Sequence, residues 1–110
     1  MITVTMLRSS SRIEGFTCCG HADYDEAGRD IVCSAVSALT QTCILGLTEV
    51  IGLQAGISID EKDGISCILD RDTPTGQAEQ AALLFKTMAL GLESIRQAYP
   101  KNLKIRNREV

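Results

Sequence analysis

The order of apolar and polar residues changes along the chain, and each change predicts a new element. Residues 2–8 place apolar side chains at alternate positions, with β-branched residues among them, which is typical of a strand. Three serines follow, and residues 13–20 predict a second strand that returns as a hairpin. His21 would then lie at the end of this second strand.

The longest apolar stretch predicts a helix that begins at Ile31 and runs to about Leu53, with Asp30 as its N-cap. Its apolar side chains lie nearly all round the helix, so we expect burial on several sides. Either the sheet and a second helix cover it, or a second subunit helps. We do not expect a membrane helix, because no apolar run approaches the roughly 20 residues that a span needs.

A second hairpin is predicted in the middle of the chain. Two short apolar runs, at residues 57–59 and 65–69, flank an acidic turn that ends in Asp-Gly, a dipeptide favoured in hairpins because glycine adopts positive φ at little cost. Thr73 and Pro74 then predict the start of a second helix, as a cap and a first-turn proline. Apolar residues recur at spacings of three and four until Pro100 stops the helix.

Residues 103–106 alternate again and are a candidate final edge strand, with Lys and Arg towards water. The element order is therefore ββαββα, with this strand as a candidate addition. It is typical of an α+β fold in which a small antiparallel sheet packs with two helices. Because the chain contains no linker, repeat or low-complexity tract, we expect one domain over residues 1–110.

Composition limits the compartment and the partners. The formal net charge of −3 argues against a broad nucleic-acid footprint, which needs a surplus of Lys and Arg on one face. The first residues lack the charged start and apolar centre of a signal peptide. Five cysteines, an odd number, fit reduced thiols better than a disulfide framework. We therefore expect a cytoplasmic protein that contacts neither nucleic acid nor membrane directly and carries no cofactor.

Candidate chemistry centres on Cys33 and on the chain's single histidine, His21. A thiol is nucleophilic as the thiolate, which the N–H groups at a helix start favour, and with Asp30 as cap Cys33 would lie in the first turn. The loop between the two residues could bring the imidazole to the thiol, where it would act as an acid. Asp30 could instead oppose the thiolate by its own charge. On these grounds alone, catalysis and simple core packing are about equally favoured.

The other cysteines allow a zinc site as an alternative. Cys18 and Cys19 lie close in sequence to His21 and Cys33, but adjacent strand residues point to opposite faces and no Cys-x-x-Cys pair exists. We therefore expect no metal. One of Cys18 and Cys19 could still lie near the active site. The remaining two cysteines are interpreted as core residues and are Cys43 and Cys67.

A resemblance changes the balance between these interpretations. Gly-His-Ala beginning at Gly20, then Gly28, then Asp-Ile-Val-Cys-x-Ala-x-Ser-Ala-Leu beginning at Asp30 resemble the signature of the ribosomal-processing cysteine protease family, Prp. The similarity extends in element order over nearly the whole chain. It implies a catalytic dyad of His21 and Cys33.

The resemblance also implies supporting residues. The family's conserved serine corresponds to Ser37, which lies one helical turn after Cys33. The loop between the dyad residues, 23–29, would open for the substrate. Its acidic side chains could hold a basic tail, or the loop could simply be solvated. The positions assigned to this loop are Asp23, Tyr24, Asp25, Glu26 and Gly28.

The implied activity is that of a bacterial, cytoplasmic, homodimeric endopeptidase that removes the N-terminal extension of a large-subunit ribosomal protein. The predicted mechanism is acyl transfer, with backbone N–H groups at the helix start as donors to the oxyanion. Two alternatives stay open at this point. One is a non-catalytic ribosome-associated binding module of the same fold, and the other is a thiol hydrolase that acts on a small molecule.

Overall fold

The computed structural model describes residues 1–20, 27–53, 57–60 and 64–110. Two strands precede the first helix, two follow it, and a second helix and a last strand complete the described part. The predicted order is confirmed, including the candidate final strand. In chain order, the elements are β1 (Ile2–Ser9), β2 (Arg12–Cys19), α1 (Ala27–Leu45) with a π-helical continuation (Gly46–Val50), β3 (Ile57–Asp60), β4 (Ile65–Leu69), α2 (Thr75–Ala98) and β5 (Leu103–Glu109).

The described strands form one five-stranded sheet in the order β3-β4-β2-β1-β5. The β1–β2, β2–β4 and β3–β4 pairs are antiparallel, whereas β5 runs parallel to β1. The α+β class is confirmed, but the sheet is mixed rather than wholly antiparallel. The reason is that α2 carries the chain back along the sheet, so that β5 repeats the direction of β4 and therefore of β1.

One face of the sheet carries the core. Phe16 on β2 lies in register with Met6 on β1 and Cys67 on β4, and all three are buried. The ring of Phe16 meets that of Phe85 on α2 edge to face, with the ring centroids 6.1 Å apart. Cys43 of α1 lies close enough to Cys67 for their charges to interact, so both helices pack on this face.

The two helices pack closely because small residues face large ones. A Cβ added at Gly46, in the π-helical continuation, would lie 2.9 Å from Leu84 of α2. A Cβ added at Gly91 of α2 would lie 3.0 Å from Leu39 of α1. Since the later residue of one helix meets the earlier residue of the other, the helices run antiparallel.

The start of α1 differs from the prediction. The helix includes Ala27, so Asp30 lies within it and is not its N-cap. Its regular part ends at Leu45 and the π-helical turns end at Val50, somewhat before the predicted end near Leu53. The periodicity identified the helix but not its first turn, because the polar residues before Ile31 do not interrupt helical geometry.

The start of α2 also differs in detail. Pro74 is the N-cap itself, with a non-helical ψ of 142°, and not the first helical residue. The hydroxyl of Thr73 donates to the carbonyl of Asp70 at 2.8 Å and therefore stabilises the turn after β4 instead of capping the helix.

The apolar helix α1 is less buried than predicted. Residues Ile31–Val50 form a 20-residue stretch of mean hydropathy 1.7, long and apolar enough by composition to cross a membrane, of which 28% is buried. The expectation that no apolar run reaches this length is therefore wrong. Length and composition alone do not make a span, and Val32 and Val36 pack in the core. On the other side of the helix, Ile31 is 55% exposed and Leu45 is 57% exposed.

Candidate active site

Cys33 lies in the second turn of α1, half-buried and packed against the edge of the core. It faces Cys18, which is near the end of β2 on the helix-covered side of the sheet. Burial raises the pKa of the Cys18 thiol to about 11, and the neighbouring Cys19 and Cys33 add to the shift through their charges. Cys18 is therefore the cysteine of the adjacent pair that borders the candidate nucleophile, and it stays a neutral thiol near pH 7.

The end of β2 is shaped by Gly20, the first residue of the Gly-His-Ala motif. Gly20 has a φ of +117°, in a region that other residues rarely adopt. A Cβ at this position would lie 2.3 Å from the carbonyl oxygen of Met1 and 2.9 Å from the Cα of Ile2. Glycine is therefore required at this position for two reasons: the positive φ of the backbone, and the close approach of β1, which leaves no room for a Cβ. His21 follows directly in the sequence and lies outside the described residues.

Strand β4 begins at the same end of the sheet. Gly64 precedes it with a φ of +129°, and a Cβ there would lie 2.2 Å from the carbonyl oxygen of Cys18. The last residues of β2 therefore lie next to the first residues of β4, beside the helix that carries Cys33. This end of the sheet is the candidate active site.

Ser37 lies one turn after Cys33 on α1, and its side chain is exposed. Its carbonyl accepts a hydrogen bond from the hydroxyl of Thr40 at 3.2 Å, and the same hydroxyl donates to Val36 at 2.9 Å. Because the side chain of Ser37 is exposed, it is accessible to a substrate that approaches Cys33 from solvent. Its assigned supporting role stays a prediction.

Part of the predicted substrate loop is helical. Gly28 and Arg29 belong to α1, so the assignment of Gly28 to a loop is wrong. The sequence favoured a loop there because the residues before Ile31 show no apolar period. The remaining positions of the predicted loop lie outside the described residues and are Asp23, Tyr24, Asp25 and Glu26.

The longer helix also changes the electrostatic argument. The effect of a helix terminus is strongest in the first turn, whereas Cys33 lies in the second. The N–H groups around Cys33 have helical acceptors one turn earlier and are not unpaired donors. The oxyanion donors of the predicted mechanism must therefore come from outside this turn.

The remaining cysteines have structural surroundings. Cys43 and Cys67 are buried in the core, as predicted, and burial raises the pKa of their thiols to about 12 and about 11. All five cysteines are free thiols. Within the described ranges, no group of three or more His, Cys, Asp or Glu side chains is placed to hold a metal ion.

A half-buried cysteine on a helix, beside the end of a strand that leads into the chain's single histidine, is an arrangement typical of cysteine hydrolases. The sequence model of the family described as cysteine protease Prp matches residues 1–104. The chain therefore belongs to the Prp family and is a cysteine peptidase, as the motif predicted.

Relatives and solved structures agree with this assignment. The Bacillus subtilis protein named ribosomal processing cysteine protease Prp is 31% identical, over 96% of this chain and 96% of the relative. The crystal structure of the essential ribosomal processing protease Prp from Staphylococcus aureus with a substrate peptide gives a TM-score of 0.79 at 27% identity, covering 98% of this chain and 100% of that one. A second S. aureus structure, with a covalently linked product peptide, gives a TM-score of 0.71 at 29% identity over the same shares.

Proposed function

We propose that this peptidase removes the N-terminal extension of a large-subunit ribosomal protein in the bacterial cytoplasm. The observation that carries the proposal is the position of Cys33, half-buried beside the strand end that leads into His21. The names of the relatives support the substrate class, since they are ribosomal processing proteases. The peptide complex of the S. aureus relative supports cleavage of an extended segment rather than of a small molecule.

In the proposed mechanism, the Cys33 thiolate attacks the scissile carbonyl carbon and forms a tetrahedral intermediate. The carbon–nitrogen bond then breaks as His21, in its imidazolium form, protonates the leaving amine. A water molecule loses a proton to His21 and attacks the thioester, which releases the new carboxylate and restores the thiolate. A covalently linked product peptide in the S. aureus relative is consistent with such an acyl-enzyme.

The residues between the dyad members would recognise the substrate by charge. Asp23, Asp25 and Glu26 give this segment a negative charge, which is complementary to the basic tail of a ribosomal protein. Ser37 would contact the substrate or orient His21 from the exposed side of α1. Loss of the acidic side chains should raise KM more than it lowers kcat, because they would act in binding. Ser37→Ala should also raise KM if Ser37 contacts the substrate, but should lower kcat if it orients His21.

The test is cleavage of a purified ribosomal protein that carries its N-terminal extension. Cys33→Ala should abolish cleavage, and His21→Ala should reduce it by at least about a hundredfold, the usual contribution of an acid–base group. Cys19→Ala is the matched control. Cys19 is an exposed cysteine on the face of the sheet opposite the helix that carries Cys33, so its loss should leave the rate unchanged. Cleavage that survives in Cys33→Ala would refute the mechanism. Hydrolysis of small thioesters without cleavage of the extended protein would refute the substrate class.

We further propose that the protein is a homodimer whose subunits meet through α1. The helix exposes Ile31 and Leu45, and Val50 just after it is 83% exposed, although all three are apolar. Ile31 and Leu45 are about four helical turns apart and therefore lie on one side of α1, where exposed apolar side chains are typical of a contact with another helix.

Light scattering should give a dimer mass for the parent protein and a monomer mass for Leu45→Lys. Leu83→Lys changes an apolar residue of α2 that is even more exposed, 67% against 57% for Leu45, and serves as the control that should remain dimeric. A monomeric parent would contradict the dimer. A Leu45→Lys variant that stays dimeric would place the contact elsewhere.

A further inference from the structure

The face of the sheet opposite the helices has a one-sided charge distribution. On β5, alternate residues point to this face, and three successive ones are the cations Lys104, Arg106 and Arg108. All three are exposed. They lie in register with Thr3, Thr5 and Leu7 of β1, whose neighbours in the chain point to the helix-covered face. We define these three cations as the basic stripe.

The helix-covered face and this open face differ in chemistry. The open face continues from the basic stripe across hydroxyl-bearing positions of the next strands. These are Thr3 and Thr5 on β1, Thr17 on β2 and Ser66 on β4. The aromatic residues Phe16 and Phe85 lie in the core instead. The open face therefore offers cations and hydroxyl donors, together with the buried Leu7 and the partly exposed Ile68, but no aromatic side chain among the described residues.

No ion pair within the described residues includes a cation of the stripe, although Arg108 lines the same surface pocket as Glu14 and Asp70. The ion pairs found there join Arg12 with Glu14 and Arg96 with Glu93, and neither includes a stripe residue. Like charges at alternate positions of one strand repel each other, which disfavours the folded strand. A bound anion would relieve this repulsion.

Protection of an edge strand against aggregation explains only part of this pattern. Charged side chains do keep edge strands from pairing with other chains, and β5 is an edge of the sheet. That function needs a charge of either sign, at one or two positions. Three successive outward positions of the same sign indicate an extended anionic partner.

We propose that the basic stripe binds the phosphate backbone of a nucleic-acid strand. Alternate residues of a strand are about 7 Å apart, which is comparable to the separation of successive phosphates along an extended polynucleotide. Lys, Arg, Ser and Thr are the side chains that contact phosphate in such complexes. A protein partner fits less well, since protein interfaces are enriched in aromatic anchors, and the described residues of this face include none.

The overall charge of the chain does not conflict with this surface. The net charge of −3 is a sum over the whole sequence, whereas residues 101–109 contain four cations and one carboxylate. The basic stripe lies on the face of the sheet opposite the helix that carries Cys33.

The test measures the affinity of the full-length protein for fluorescent oligouridine and oligothymidine of about 20 nucleotides, at several salt concentrations. Three phosphate contacts predict that binding weakens about twentyfold between about 50 mM and about 200 mM salt. In Lys104→Gln with Arg106→Gln, one contact remains and the loss over the same range should be only about threefold. The two oligomers should bind with similar affinity, because neither bases nor sugars are contacted.

A matched control removes the same charge elsewhere. Lys86→Gln with Arg96→Gln deletes two cations of α2 on the other side of the molecule and should keep the parent's salt dependence. Arg106→Lys retains the positive charge, so it should also keep the parent's salt dependence. This variant separates the loss of charge from a disturbance of the strand at position 106.

Several results would overturn the proposal. Parent protein that does not bind either oligomer, or a control pair that loses as much affinity as the stripe pair, would show that the stripe is not a nucleic-acid surface. Polyglutamate that competes as well as the oligomers, or a tenfold preference for one oligomer, would exclude recognition of the phosphate backbone alone. Peptide cleavage is measured separately, so a failure here leaves the proposed protease function untouched.

Discussion

The Gly20→Ala substitution tests the backbone geometry that precedes His21, the proposed catalytic histidine. The added methyl group has two separate costs. The backbone at Gly20 has a φ of +117°, and holding a non-glycine residue in such a sparsely populated region costs about 1–3 kcal/mol. The new Cβ would also lie 2.3 Å from the carbonyl oxygen of Met1, which forces the start of β1 to move. Excess volume in a packed site costs about 1–3 kcal/mol.

The combined loss in the free energy of unfolding should be about 2–6 kcal/mol, the sum of these two costs. For a domain of this size, each kcal/mol lowers the unfolding midpoint by about 4–8 °C, so the midpoint should fall by at least about 8 °C. Displacement at Gly20 also moves the attachment point of His21. We therefore expect peptide cleavage to be lost even at temperatures where the variant is folded.

Thermal unfolding followed by circular dichroism measures these values, and two other glycines separate the two costs. Gly52 has a φ of +83° but open space around its Cβ position, so Gly52→Ala should show only the backbone cost of about 1–2 kcal/mol. Gly76 has open space and helical geometry, so Gly76→Ala should be neutral or stabilise by up to about 1 kcal/mol. A Gly20→Ala midpoint equal to or above that of Gly52→Ala would refute the argument from close contact.

Three further predictions concern the core. Phe85→Ala removes the fully buried partner of Phe16 and should destabilise the domain by about 3–5 kcal/mol in denaturant unfolding. Thr40→Val should change the free energy of unfolding little. The buried hydroxyl is lost, but the carbonyls of Val36 and Ser37 that accepted its hydrogen bonds also accept backbone bonds within the helix. A loss above about 2 kcal/mol in the free energy of unfolding would contradict this. Burial raises the pKa of the Cys43 and Cys67 thiols above their ordinary value of 9.0, so the stability they contribute is fully present below pH 9.0 and is lost as the pH rises through 11 to 12. The midpoint of the parent should accordingly fall more steeply above pH 9.0 than that of Cys43→Ala.

The local sequence predicted most of the architecture because its signals act over short distances. Alternating residues identified β1 and β5, and the Asp-Gly pair identified the turn between β3 and β4. The motif around His21 and Cys33 identified the family, which the comparisons confirm. The sequence did not predict that α1 begins at Ala27, because the first turn of the helix carries no apolar period. The predicted loop therefore included Gly28, which belongs to the helix.

By itself, then, the sequence determined the element order, the family and the residues that carry the proposed chemistry, since these depend on near neighbours in the chain. Only the tertiary structure decided that β5 runs parallel to β1, because strand pairing joins residues far apart in sequence. It also decided that Cys18 rather than Cys19 borders Cys33. The helices cover one face of the sheet, and the pairing register of β2 places the side chain of Cys18 on that face and the side chain of Cys19 on the other. The same register gathers the cations of β5 on the open face, which a net charge of −3 conceals.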